Sequence, residues 1–259
     1  MKFFDLVNIS ERYLDLINPI SPEKIITLGK MLRLNSNSRV IDFGCGFGEM
    51  LALWAELFDI SGVGIDVREY ACQRANQRIA SAGFADRIEI SCTEGASYPF
   101  ARKAFDVALC SGATFIWNGF AASIRTMREA IKDGGRLAIG EVFWLTDQVP
   151  SEFRLQQKDV NMEIDLLAMA HQEGFDFEYM LRASREDWDR YEAGNWYGLV
   201  RWIEENPDHP EREEVIDHLH QSQQEYLRYG RQYFGWAISV NHRFRNLELR
   251  SIDFSRFLA

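Results

Sequence analysis

The chain has 259 residues, of which 29 are basic and 39 acidic, so its formal net charge at pH 7 is −10. Hydrophobic residues make up 46% of the chain and charged residues 26%, as in ordinary globular proteins, which excludes a disordered or low-complexity chain. The length allows one large domain or two small ones. An acidic surface repels phosphate backbones, so we expect no nucleic acid among the partners.

The four cysteines, Cys45, Cys72, Cys92 and Cys110, have spacings that match neither a zinc site nor a compact disulfide framework. Cys92 and Cys110 stand in apolar runs, which predicts small core residues. No apolar run approaches the roughly 20 residues that span a bilayer, and the N-terminal segment meets Asp5 too early for a secretory leader. We therefore expect a cytoplasmic protein with no membrane partner.

From residue 39 onwards, short apolar runs alternate with segments of helical periodicity. One of these helical stripes consists of Phe120, Ile124, Met127 and Ile131. Alternating strands and helices predict a parallel sheet that is covered by helices on both faces. The first five predicted strands are Arg39–Phe43, Gly62–Val67, Ile88–Cys92, Phe105–Cys110 and Arg136–Val142.

The second half of the chain is mostly helical and rich in aromatic residues. A sixth strand is predicted at Asp176–Leu181 and a last one at Tyr233–Val240, with helices between them. The aromatic residues of these helices either pack onto the sheet or form a cover over a ligand pocket. The predicted organisation is a single domain over 1–259, with an N-terminal helical lead (1–34), a sheet core (35–184 and 231–259) and a helical insertion or lid (185–230).

A glycine-rich turn follows the first strand, and an acidic residue ends the second. The turn is Gly44-Cys45-Gly46-Phe47-Gly48, and the acid is Asp66. Glycines let a ligand approach the backbone closely, and a carboxylate at this place can accept the ribose hydroxyls of a nucleoside. Glu49 stands where a dinucleotide site has its last glycine, and it would repel a pyrophosphate at the helix N-terminus. The turn therefore favours a ligand without phosphates, such as S-adenosylmethionine.

Five segments together resemble the motif series of the class I S-adenosylmethionine-dependent methyltransferases. They are VIDFGCGFGEML, GVGID, TEGASYPF, FDVALCSGAT and KDGGRLAIGE, within about residues 36–145. Segments near both ends resemble one bacterial subgroup of that family, so the resemblance spans nearly the whole chain. It implies an α/β, Rossmann-like, doubly wound sheet of seven strands, the last one antiparallel, and S-adenosyl-L-methionine as the cofactor.

The resemblance also implies which residues bind the cofactor. Gly44, Cys45 and Gly46 would face the methionine moiety, Asp66 would take the ribose, and Val67 would pack on the adenine. Glu94, followed by Gly95, would lie near the adenine amino group, and Cys110 with Ser111 would line the sulfonium region. Two of these assignments have alternatives, because Glu94 is also consistent with a solvated loop acid and Cys110 with a core residue.

Residues after the fourth and fifth strands should surround the methyl acceptor, since ligands lie beyond the carboxyl ends of parallel strands. Glu141 could orient the acceptor or take its proton, or it could have no chemical role. Phe115, Trp117 and Trp144 could contact a flat or ammonium-bearing acceptor, or they could pack under the helical cover. Tyr13 is a candidate for closing the pocket. No histidine lies near these strand ends, so we expect no metal.

The sequence thus predicts methyl transfer from S-adenosylmethionine to a small-molecule acceptor by in-line displacement, in which alignment of the reacting atoms does much of the work. Two alternatives stay open at this point. One is a nucleoside- or cofactor-binding module without catalysis, and the other is an NAD-dependent oxidoreductase, which Glu49 disfavours. A homodimer is also left open.

Overall fold

A computed structural model describes residues 1–243 of the chain. The predicted core segment 231–259 lies partly outside the described residues. The strands are β1 (Arg39–Phe43), β2 (Ser61–Asp66), β3 (Ile88–Cys92), β4 (Phe105–Ser111), β5 (Ile131–Trp144), β6 (Asn161–Met162), β7 (Asp176–Arg182) and β8 (Phe234–His242).

Helices precede, separate and follow these strands. They are α1 (Phe3–Glu11), α2 (Pro22–Met31), α3 (Glu49–Phe58), α4 (Glu69–Ser81), α5 (Phe120–Met127), α6 (Ser151–Gln156), α7 (Glu163–Gln172), α8 (Arg185–Glu205), α9 (Arg212–Glu225) and α10 (Arg231–Tyr233). A π-helical turn (Tyr226–Gly230) joins α9 to α10, and short 3₁₀ turns lie at Gly95–Ser97 and Thr114–Trp117.

The sheet has the strand order β3–β2–β1–β4–β5–β8–β7, and the two-residue β6 pairs with the end of β5 beside this path. Strand β8 runs antiparallel to both of its neighbours, whereas the other pairs are parallel. The order reverses between β1 and β4, so a crevice opens there beyond the carboxyl ends of the strands. This arrangement confirms the predicted doubly wound sheet with an antiparallel last strand.

Two apolar cores cover the two faces of the sheet. Successive residues of a strand point to opposite faces, so Val40 belongs to one core and Ile41 to the other. The first core surrounds Trp54, whose buried indole N–H donates to the carbonyl of Ile25 at 2.9 Å and thereby joins α3 to α2. The second core lies under α5 and α7 and contains Phe143.

Two local predictions are wrong. Ile131 is not on a helix: α5 ends at Met127, and Ile131 begins β5, where it pairs with Phe105. A spacing of four residues fits a helix, but Ile131 is also buried as the first residue of a strand. Cys92 is exposed rather than part of the core, because β3 lies at the edge of the sheet and Cys92 is its last residue.

Helices α8 and α9 lie between β7 and β8, at the place predicted for the insertion. A capping box begins α8: the Asp187 N–H donates to Ser184 Oγ at 3.1 Å, and the Ser184 N–H donates to Asp187 Oδ2 at 2.8 Å. Helix α1 packs across α8 at Gly198, where a Cβ atom would collide with the backbone carbonyl of Ser10. The N-terminal lead is therefore fixed to the insertion. No helix within residues 1–243 has the length and apolar run needed to cross a bilayer.

We expect Gly198→Ala to weaken the attachment of α1 to α8. The added methyl meets backbone atoms, which cannot rotate away, so the free energy of unfolding should fall by roughly 1–3 kcal/mol despite the better helix propensity of alanine. Chemical denaturation measures this change, and limited proteolysis reports release of the N-terminal segment. Ala193→Ser, which adds one atom at an exposed position of α8, is the control. Equal stability of wild type and Gly198→Ala would contradict the packing described.

Candidate active site

The glycine turn connects β1 to α3 through left-handed backbone. Gly44, Gly46 and Gly48 have φ angles of 77°, 55° and 68°, a region that side chains with a Cβ atom rarely adopt. The N–H groups of Gly44 and Cys45 donate to the carbonyl of Ile65 at 2.8 and 2.9 Å. The turn is thereby fixed to β2.

Asp66, at the end of β2, contacts the turn directly. Its Oδ2 accepts the Gly46 N–H at 3.0 Å, and its Oδ1 accepts the Arg68 N–H at 2.9 Å. The Arg68 guanidinium lies 3.5 Å from Asp66 and 2.7 Å from Glu11 of α1. The structure thus brings together the turn and the acid that the sequence singled out, and it adds an ion pair from the N-terminal helix.

Two further carboxylates beside the turn are buried without full hydrogen bonding. Asp42 Oδ1 and Glu49 Oε2 have no partner among residues 1–243. Burial, together with the charges of Glu49 and Asp66, raises the pKa of Asp42 well above its ordinary value. Burial raises the pKa of Glu49 to about 7. Within residues 1–243 neither acid has an ion-pair partner, and buried acids of this kind favour the approach of a cation.

The segment 12–18 crosses the glycine turn and covers it. The Ile17 N–H donates to Glu49 Oε1 at 3.0 Å, and the Ile17 side chain lies against Gly46. Asn18 Oδ1 accepts from Ser111 Oγ at 3.2 Å. Sequence reasoning missed this segment except for Tyr13, because its role depends on long-range contacts that no local pattern indicates.

The other predicted cofactor residues line the same edge of the sheet. Val67 is 48% exposed at the end of β2, as a side chain that packs on a ligand ring can be. Glu94 is exposed and Gly95 is buried. Ser111 lies at the end of β4 beside Asn18, whereas the Cys110 side chain is fully buried in the second core. For Cys110 the structure therefore supports the core interpretation.

The predicted acceptor residues do not form one group. Phe115 is 68% exposed, and Trp117 packs edge-on against Phe43 at 4.9 Å between ring centroids. Trp144 is 1% exposed, and the rings of Phe153 and Phe234 pack against it. Its surroundings match the packing alternative.

Tyr13 and Glu141 each have several partners. The Tyr13 ring meets that of Tyr197 at 5.2 Å on the insertion. The Glu141 carboxylate accepts from the Thr114 hydroxyl and from the Val142 N–H, the latter at 3.2 Å, and burial raises its pKa. Because strand residues alternate, Glu141 and Val142 point to opposite faces of the sheet.

A cavity of about 410 Å³ lies where the end of β5 meets the insertion. Ser111 and Gly140 are neighbours in register, and Val142, on the same face as Gly140, lines the cavity. Ser111 and the cavity therefore lie on the same face of the sheet, with the cavity farther toward the end of β5. A helical cover over a ligand pocket is one of the two interpretations of the aromatic residues in this half of the chain, and Trp188 and Tyr226 line this cavity. Its lining residues are Val142, Gln157, Val160, Trp188, Glu192, His218, Gln221, Ser222, Glu225, Tyr226, Gly230 and Phe234.

Within residues 1–243, His, Cys, Asp and Glu side chains are nowhere grouped in threes that could hold a metal ion.

Comparisons with known proteins agree with this fold and site. Residues 40–135 match the family described as Methyltransferase domain. The uncharacterized protein YjhP of Escherichia coli (strain K12) is 35% identical over 240 residues, which are 90% of this chain and 96% of YjhP. A methyltransferase from Thiobacillus denitrificans, crystallised with S-adenosyl-L-homocysteine, superposes with a TM-score of 0.88 at 32% identity, over 94% of this chain and 100% of that one. A methyltransferase from Geobacter sulfurreducens, crystallised with the same ligand, superposes with a TM-score of 0.87 at 34% identity, over 93% of this chain and 98% of that one.

The reversed strand order, the glycine turn and Asp66 agree with the fold and site of a class I S-adenosylmethionine-dependent methyltransferase. With these relatives matched over nearly their full length, the chain belongs to that family, together with YjhP of Escherichia coli.

We expect Glu49→Gln to stabilise the ligand-free protein at alkaline pH. Because its pKa is raised, Glu49 keeps its proton up to about pH 7 in the folded protein, whereas in the unfolded chain it releases the proton near pH 4.5. The wild type therefore loses stability as the pH rises from about 4.5 to 7. At pH 8 the variant should unfold with a free energy higher by roughly 3 kcal/mol, and at pH 5 by less than about 1 kcal/mol. Urea denaturation at both pH values measures this. Glu56→Gln, at an exposed position of α3, is the control, and a difference independent of pH would contradict the assignment.

Proposed function

We propose that the protein transfers the methyl group of S-adenosylmethionine to a small-molecule acceptor held in the cavity between β5 and the insertion. One observation carries the proposal: the covered glycine turn, with its unpartnered buried carboxylates, and the cavity follow one another along the same face of the sheet. A volume of about 410 Å³ is in the range of small-molecule sites.

The residues present fit S-adenosylmethionine, a cation that supplies an electrophilic methyl group when bound. The backbone of Gly44 and Gly46 would face its methionine part, and Asp42 and Glu49 would balance positive charge there. Asp66 would accept the ribose hydroxyls on the lone pairs that its bonds to the Gly46 and Arg68 N–H groups leave free. The relatives from Thiobacillus denitrificans and Geobacter sulfurreducens bind S-adenosyl-L-homocysteine, which supports this assignment.

The wall of the adenine site would consist of Val67 and Gly95, with Glu94 beside them. Ser111 would lie near the reacting sulfur. In this proposal the protein contributes chiefly alignment, because in-line displacement depends on the geometry of the nucleophile and the methyl carbon. Glu141 stays a prediction as base or orienting group. Its raised pKa is the direction that a base working near neutral pH needs, but its position on the other sheet face separates it from the cavity wall.

The insertion, with segment 12–18, would act as the lid. Arg12 bonds Glu205 of α8 at 2.5 Å, and Leu14 lies against Gly194 of the same helix. Burial raises the pKa of Tyr191 on α8, and the charges of Glu11 and Glu192 raise it further. A lid of this kind excludes water from the reacting groups.

One feature disfavours an NAD-dependent oxidoreductase. The Glu49 carboxylate, which has one unpartnered oxygen in the first turn of α3, would repel the pyrophosphate of NAD.

A cytoplasmic location is also part of the proposal. All four cysteines are free thiols, which agrees with a reducing compartment.

We expect Asp66→Ala to weaken binding of S-adenosylhomocysteine by roughly 1.5–3 kcal/mol, the contribution of a charge-assisted hydrogen bond. Isothermal titration calorimetry measures the affinity. Glu56→Ala, at an exposed position of α3, should bind as the wild type does. The assignment of Asp66 fails if its variant binds with unchanged affinity, and the cofactor itself is wrong if the wild type shows no binding.

We expect Ser222→Phe to abolish methyl transfer while leaving S-adenosylhomocysteine binding unchanged, because the ring would fill the cavity and not the cofactor site. Transfer of radioactive methyl from S-adenosylmethionine to the small-molecule fraction of a bacterial extract is the readout. Gln224→Phe places the same ring at an exposed position of α9 and should have no effect. A wild type that binds the cofactor but labels no compound would favour the non-catalytic module.

A further inference from the structure

The cavity between β5 and the insertion contains two carboxylates without a cationic partner. Glu192 of α8 and Glu225 of α9 both line it, and no lysine or arginine within residues 1–243 contributes to its wall. Glu225 Oε1 accepts from Gln157 Nε2 at 3.1 Å, which is a neutral contact. The wall thus combines acidic groups with an apolar surround.

Burial makes this arrangement unfavourable when no ligand is bound. It raises the pKa of Glu192 to about 7, and the charge of Glu225 contributes to that rise. Burial also raises the pKa of Glu225. Two acids that repel each other in one cavity would both gain from a positive charge placed between them.

Aromatic rings surround the two acids. The Trp188 ring lies 6.3 Å from that of Tyr226 and 6.5 Å from that of Phe234, with interplanar angles of 29° and 24°. All three residues line the cavity, and their apolar surface strengthens the attraction between the acids and a cation, because electrostatic interactions are stronger in a medium of low dielectric constant. The Trp188 indole N–H is buried without a partner, so a donor also remains for a ligand oxygen.

The neighbouring charges do not neutralise the two acids. The Tyr226 hydroxyl donates to Asp189 at 2.8 Å, and Asp189 is paired with Arg231 at 2.9 Å. Among the titratable side chains that residues 1–243 contribute to the wall, only His218 of α9 is basic.

We propose that the acceptor is a cationic small molecule whose ammonium group binds between Glu192 and Glu225, beside Trp188. This inference rests on the proposed function, since it assigns a substrate class to the same cavity. It adds a selection rule: positive charge on the acceptor is recognised by the insertion, separately from the acids that surround the cofactor.

The test compares two probes of equal shape that differ in charge. Choline has a fixed positive charge, and 3,3-dimethylbutan-1-ol has a carbon atom in place of the quaternary nitrogen. Both are titrated at pH 8 into the protein saturated with S-adenosylhomocysteine, and calorimetry gives their dissociation constants up to millimolar concentrations. We expect choline to bind at least tenfold more tightly than the neutral alcohol.

Glu192→Gln should weaken choline binding about tenfold and leave binding of the alcohol unchanged, because only the charge is removed. Glu225→Gln should act in the same direction. Glu186→Gln makes the same change at an exposed position of α8 and should leave both affinities as in the wild type. Circular dichroism melting shows that each variant is folded.

The pH dependence separates Glu192 from other groups. Since choline does not titrate, its affinity should rise between about pH 6 and pH 8 as Glu192 ionises, and this rise should be lost in Glu192→Gln. His218 also lines the cavity, so His218→Asn is measured too and should retain the rise.

Equal affinity for the two probes, or no binding of choline, would overturn the inference. Such a result with intact S-adenosylhomocysteine binding leaves the proposed methyl transfer standing. If the wild type does not bind S-adenosylhomocysteine, the proposed function itself is contradicted.

Discussion

The hydrogen bond from the Gly46 N–H to Asp66 is the contact on which the site depends. It joins the turn after β1 to the end of β2, and it requires a backbone conformation that residues with a Cβ atom rarely adopt. Asp66 also lies beside Arg68, which pairs with Glu11 of α1. One carboxylate therefore fixes the turn, the second strand and the N-terminal helix relative to one another.

The same region contains buried carboxylates that lower the stability of the fold, and packing does not explain why they are there. Asp42 and Glu49 are buried with unpartnered oxygen atoms, and an apolar pair of similar size would fold more easily. Proteins retain such unfavourable groups where a ligand relieves them, and sites of this kind are often less stable than the rest of the fold. Burial raises the pKa of Glu49 to about 7, because binding a proton removes the unfavourable buried charge in the ligand-free site.

Local patterns predicted the strands, most helices and the glycine turn well, because each of these depends on residues close in sequence. The alternation of strands and helices and the turn Gly44–Gly48 are of this kind. Long-range contacts were not predictable in this way. The cover formed by segment 12–18 depends on a bond across 32 positions, from Ile17 to Glu49, and Glu192 and Glu225 stand in helices where acidic residues usually face solvent.

The predicted end of α5 was wrong at Ile131, because a buried residue at that spacing fits both a continued helix and the first residue of a strand.

Part of the acidic excess lies at specific places in the structure. Within residues 1–243, acids without an ion-pair partner lie beside the glycine turn and in the cavity. Segment 12–18 contacts the glycine turn and helix α8, because the Ile17 N–H donates to Glu49 while Arg12 pairs with Glu205 of the insertion. A ligand that fixes this segment on the turn would therefore also act on α8, which contributes Glu192 to the cavity wall. Since coupling between two binding sites is reciprocal, an acceptor held by α8 would in turn favour the covered cofactor site, and the two ligands would stabilise one closed arrangement.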